Sequence, residues 1–197
     1  PLAEAAHTRN ATVLVDPSLI DEVRAMASGY LVAGKGSHTV AGTGQEQAKE
    51  WLNLVEPLLS SGRAYRLPYG NADVIGAARQ GRSSLLLTVK HAVDPSNPAA
   101  HLPLAIIDPA AELDNSSFKT LAKELSPSVI LTCAASVRKG VREDFGVKIV
   151  GLADTVRTSG HPQSNSDSQR RGMLLSQALL MTRESIPAVT LVTTVND

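Results

Sequence analysis

The stretch "TVLVDPSLIDEVRAMA", Thr12 to Ala27, decides how this chain reads: an apolar, strand-like segment runs into Asp-Pro and then into a helix-like segment. A second stretch repeats the order. In "LAIIDPAAELDNSSFKTLAKEL", Leu104 to Leu125, a strand pattern again ends in Asp-Pro before a helical one. In the first stretch Leu19, Ile20, Val23, Met26 and Ala27 recur at the spacing of one helical face. Aspartate before a helix is a standard N-cap, and proline suits the first helical position, so Asp16 and Asp108 both read as caps at the least.

Working outward, the same alternation continues along the chain. Strand-like runs are "TVLVD" (Thr12 to Asp16), "AYRLPY" (Ala64 to Tyr69), "PLAIID" (Pro103 to Asp108), "SVILT" (Ser128 to Thr132), "VKIVG" (Val147 to Gly151) and "AVTLVTTV" (Ala188 to Val195). Most lack polar/apolar alternation, which fits strands buried on both faces. Between them Trp51, Leu52, Val55, Leu58 and Leu59 mark a helical face, and "TGQE" offers a capping box from Thr43 to Glu46. Asp114 is placed to cap "NSSFKTLAKEL", and Ser168 to Glu184 reads as a further helix. Strands alternating with helices predict an α/β fold of parallel βαβ units, with at least five of the six strands parallel in one curved sheet or barrel and the helices outside.

Length and composition narrow the function. A chain of 197 residues suits one domain that buries roughly 70% of its unfolded surface. Its 19 basic residues balance its 19 acidic ones, which excludes the charge signature of a nucleic-acid or anionic-membrane binder. Aromatic residues are only 3%, thin support for a stacking platform for bases or sugars. Cys133 is the only cysteine; it cannot form an internal disulfide and, within "SVILTCAAS", reads as a buried small hydrophobe. No apolar run approaches the ~20 residues of a membrane span. Pro1 is followed at once by "LAEAAHTRNA", which is no signal peptide, and a chain starting there reads as a fragment or a processed form.

In parallel sheets and barrels, sites gather at the carboxyl ends of the strands, where the next loop begins. Asp16 and Asp108 fall at that edge, and Asp73 in "LPYGNADV" is a third candidate. On neighbouring strands their carboxylates would converge on one mouth, as general acid/base or metal chemistry requires. Other patterns are weaker. "SVRK", Ser136 to Lys139, matches the S-x-x-K of serine acyl enzymes without its companion motifs. His38, His91, His101 and His161 are too widely spaced for a local metal pair and read as loop or surface residues. The Gly-rich "VAGKGSHTVAGTGQE" fits neither a P-loop nor a dinucleotide fingerprint and reads as a flexible lid or plain connection. The polar "RTSGHPQSNSDSQRRG", Arg157 to Gly172, reads as a lid over the mouth or a solvated connection. No cofactor or metal is called for.

Several separated motifs carry a family resemblance. "VLVDPSLIDEVRAMASGY", then "GTGQEQAKEWLNLV", then "LPYGNADVIGAARQG", with "DNSSFKTLAKELSPSVILT" and "RRGMLLSQALLMTRESIPAVTLVTT" later, resemble the DUF6049 family of actinobacterial envelope proteins across most of Thr12 to Thr194. The resemblance implies a distorted or incomplete (β/α) barrel in one domain, residues 1–197, forming part of a larger envelope protein outside the cytoplasmic membrane. It also implies a membrane link only through segments beyond this chain. The barrel region is distantly similar to glycoside hydrolases and polysaccharide deacetylases. Asn71 stands where the family usually has an acid, leaving Asp73 as the acid of that corner, and the paired aspartates with H-x-x-x-H of deacetylases are missing. The expected function is a noncatalytic barrel-like domain that binds an envelope glycan or an envelope protein in wall assembly or export. The alternative is a carbohydrate-active hydrolase using Asp16, Asp108 and Asp73.

Overall fold

A computed structural model describes residues 12–36, 38–108, 110–133 and 141–152, with only the backbone of residues 133 and 152. Within them every strand-like run of the sequence up to residue 152 contributes a strand. These are β1 (Val13–Val15), β4 (Ala64–Arg66), β5 (Ala105–Asp108), β6 (Val129–Cys133) and β8 (Val147–Leu152). The expected strand Ala188 to Val195, the helix Ser168 to Glu184, "SVRK", the Arg157 to Gly172 segment and His161 lie outside the described residues, as does the side chain of Cys133.

All five strands run parallel. Val13 to Val15 pair with Ala64 to Arg66, β5 pairs with β6 from Ala105↔Val129 to Asp108↔Thr132, and β6 pairs with β8. A single parallel bridge between Arg66 and Leu104 joins the β1–β4 pair to the sheet that starts at β5. Arg66 N–H donates to the Pro103 carbonyl there at 2.9 Å. The strands therefore follow one another as β1, β4, β5, β6, β8, in the order of the chain. On the far side of β8 lies β7 (Val141–Asp144), which is antiparallel. No closed barrel forms among the described residues; the fold is mixed α/β with small sheets.

Alternation of side chains along these strands builds two cores. On one face Leu104, Ile106, Ile130, Val147 and Ile149 meet Val74, Ile75 and Ala78 of α3 (Val74–Arg79), Leu86 of α4 (Ser83–His91), and Phe118, Leu121 and Leu125 of α5 (Asn115–Leu125). Fully burying a side chain such as Leu121 or Ile130 is worth about 1.5–3 kcal/mol. The same face continues over β1 and β4, where Val15 and Ala64 pack on Ile20 of α1 (Pro17–Ser28) and on Val55 and Leu59 of α2 (Gln45–Leu59). The other face carries Ala105, Val129, Leu131 and Val150, with Leu14, Tyr65 and Ile107 half-buried beside them. Both faces being apolar explains why the strands show no alternation in sequence.

Three local expectations are corrected. Leu19 stays exposed, so the helical face of α1 centres on the fully buried Ile20. The Thr43–Glu46 capping box does not form: Gly44, at φ 93°, takes the N-cap position, and the helix begins one residue too late for the box. Thr43 offers its carbonyl to the Tyr30 hydroxyl at 2.8 Å, and Glu46 pairs with Lys49. The Gly-rich stretch is not a plain connection. It forms an antiparallel hairpin of β2 (Leu31–Ala33) and β3 (Thr39–Ala41).

The base of that hairpin depends on close approach. The ring of Tyr30 lies where a Cβ on Gly42 would sit, and Gly42 N–H donates to the Tyr30 carbonyl at 2.7 Å. Gly42→Ala is expected to displace the ring and lower stability by about 1–3 kcal/mol. In a urea-denaturation double-mutant cycle with Tyr30→Ala the combined loss should fall short of the sum, because the clash is then already gone. Strict additivity would refute the contact.

Candidate functional site

Each of the three strand-end aspartates is engaged by backbone N–H groups of the loops around it. Asp16 follows β1 and caps α1, its Oδ1 accepting from Ser18 N–H at 2.9 Å, with Pro17 at the first helical turn as expected. The same oxygen accepts from Gly70 N–H at 3.0 Å, which ties the loop after β1 to the loop after β4. Asp73 caps α3, accepting from Gly76 N–H at 2.8 Å. A Cβ at residue 76 would meet the Asp73 carboxylate, which would have to shift to keep this cap.

Asp108 departs furthest from expectation. Helix α5 starts at Asn115 and is capped by Asp114, so Asp108 caps no helix; Pro109 lies outside the described residues. Its place in β5 matches Ile106, and its register partner is Thr132, which turns its side chain to the helix-covered face of the sheet. There it is only 2% exposed. Oδ1 accepts from Glu112 N–H at 3.0 Å, and Oδ2 accepts from Leu113 N–H at 3.2 Å and from the Thr132 hydroxyl at 3.3 Å. A carboxylate buried without a cation costs several kcal/mol unless hydrogen bonds replace its water, and three donors do so here. No hydrogen bond or ion pair joins any two of Asp16, Asp73 and Asp108 among the described residues, and no group of three or more His, Cys, Asp or Glu is placed to hold a metal ion. His38, His91 and His101 are exposed, as the sequence reading expects.

A polar cluster the sequence reading missed lies beside Asp16. Asn97 is 1% exposed and uses its whole amide: Nδ2 donates to the Pro17 carbonyl at 2.9 Å and to Asp21 Oδ1 at 2.8 Å, and Oδ1 accepts from Ala99 N–H at 2.8 Å. Tyr69 donates its hydroxyl to Asp21 Oδ2 at 3.3 Å. Desolvation, then the charge and hydrogen bond of Asp21, push the Tyr69 phenol above its usual range. Arg24 reaches the Ser96 carbonyl at 2.9 Å, and Ser96 in turn holds Asp94 below the usual carboxylate range by hydrogen bonding. Asn97 lies in the turn-rich "DPSNPAA", Asp94 to Ala100, and nothing in the residue types foretells that it is buried against α1.

One rim feature remains. Arg79, closing α3, pairs with Glu112 in the loop after β5 at 2.8 Å; both are about half exposed, so the pair is worth at most about 1 kcal/mol. Arg66, half-buried at the end of β4, has its guanidinium pushed down by desolvation, and its Nε finds no partner among the described residues.

No family model, no curated protein and no solved structure matches the chain.

Two predictions follow from this geometry. Asp108→Ala would take the acceptor from the partly buried Glu112 and Leu113 N–H groups and from the buried Thr132 hydroxyl, the last alone costing about 1–3 kcal/mol. Asp73→Ala, at an exposed cap, should cost about 0.5–2 kcal/mol. Chemical denaturation of the two variants should therefore rank Asp108→Ala well below Asp73→Ala; equal losses would sink the burial argument. The second concerns acid. The Ser117 N–H, aided by the Ser117 hydroxyl, holds Asp114 below the usual aspartate range. A carboxyl depressed on folding stabilises the fold above its unfolded value and loses that contribution as pH falls through the folded one. Wild type should thus melt above Asp114→Asn near neutrality, and the gap should close as pH drops below about 4. A gap that persists at pH 2 would contradict the assignment.

Proposed function

We propose that this chain is a noncatalytic, barrel-type domain of an actinobacterial cell-envelope protein, lying outside the cytoplasmic membrane and binding a wall glycan or an envelope protein during wall assembly or export. The observation that carries the noncatalytic part is the fate of Asp108. A general acid, base or nucleophile must present a carboxyl oxygen to a substrate. Both oxygens of Asp108 are buried on the helix side and taken by Glu112, Leu113 and Thr132. Asp16 and Asp73 each have an oxygen engaged by backbone N–H groups that hold loops in place. The envelope placement rests on the DUF6049 resemblance, which runs through the same strand ends.

The barrel part of the reading is supported by strand order. In a doubly wound sheet the order reverses at a switch point, whereas in a barrel each parallel strand is laid beside its predecessor. The order β1, β4, β5, β6, β8 has no reversal. The helices among the described residues pack on one face only, while the other face keeps an apolar cluster of its own, as the inside of a barrel does. Antiparallel β7 on the outer edge of β8 has no place in a regular (β/α) barrel, which favours a distorted or incomplete one. In such a scaffold the loops at the carboxyl ends form the binding rim, and the Asp16–Gly70, Asp108–Thr132 and Arg79–Glu112 ties preorganise it.

The test uses the purified chain and isolated actinobacterial peptidoglycan sacculi. Sedimentation of the chain with sacculi, or capture of an envelope protein by it, is expected without release of reducing ends. Asp16→Asn and Asp108→Asn should leave that binding unchanged per folded molecule. Reducing ends released by the wild type and lost in the Asn variants would overturn the noncatalytic reading in favour of the hydrolase.

A further inference from the structure

We draw no further inference here: the strongest candidate, the apolar β2–β3 ribbon with its exposed Leu31, Val32 and Val40, carries nothing because nothing in the structure shows what covers it.

Discussion

The structure depends on how backbone N–H groups are satisfied where the parallel strands stop. A strand leaving a parallel sheet enters a loop whose amides have lost the ladder, and a helix start adds orphan donors of its own. Aspartate meets both needs, since one short side chain offers several acceptor sites and reaches amides two to five residues ahead. Asp16 serves Ser18 and Gly70, Asp73 serves Gly76, Asp114 serves Ser117, and Asp108 serves Glu112 and Leu113. Each carboxylate fixes the direction in which its chain turns back toward the helix layer. Asp16 also locks two neighbouring loops together, and Asp108 locks neighbouring strands through Thr132. The geometry that invites a catalytic reading of Asp-Pro at a strand end is thus used here to hold the crossovers.

Much of this was legible in the sequence, and the parts that were not share a cause. Parallel strands buried on both faces announce themselves as unbroken apolar runs, so β1, β4, β5, β6 and β8 were placed to within a few residues. The caps at Asp16 and Asp114 followed from residue type alone. The two hairpins did not. A two-residue turn at Phe145–Gly146, with φ 49° and 74°, usually advertises itself by Asn-Gly or Asp-Gly. Phenylalanine there carries no such signal. Its ring instead meets α5, with the Phe118 ring centroid 6.0 Å away and Lys119 Nζ 5.8 Å from the Phe145 centroid. Asp108 was misread for a related reason: the matched order at Asp16 suggested a cap, but the distance from Asp108 to the first turn of α5 is set by the loop, which sequence pattern does not reveal. Parity was the usable clue. Counting from Ile106 puts Asp108 on the helix face, provided one knows which face the helices cover.

The two faces of the sheet differ in a way that bears on function. The helix-covered face holds the fully buried large side chains Ile106, Ile130 and Leu121. The opposite face is smaller and less dry, with Leu14, Tyr65 and Ile107 only partly covered. That second cluster is apolar except for the Tyr65 hydroxyl, and the register places Lys148 on the same face, opposite Val129. Alternation sends Asp108 to the helix-covered face. A polar cluster lies beside α1, where Asp21 accepts from both the Tyr69 hydroxyl and the Asn97 amide.

The edges of the sheet limit how such an arc can extend. A parallel strand is added only where a neighbour has an unpaired edge, and β8 has none to offer: β6 occupies one side and antiparallel β7 the other. β7 is short, largely exposed and carries Arg142, Glu143 and Asp144, the kind of charged edge that discourages further pairing. β1 pairs only with β4 among the described residues, and its other edge has no such block. Among the described residues, growth of the parallel sheet is therefore open at the free edge of β1 and opposed at β7, where the charged antiparallel strand ends it.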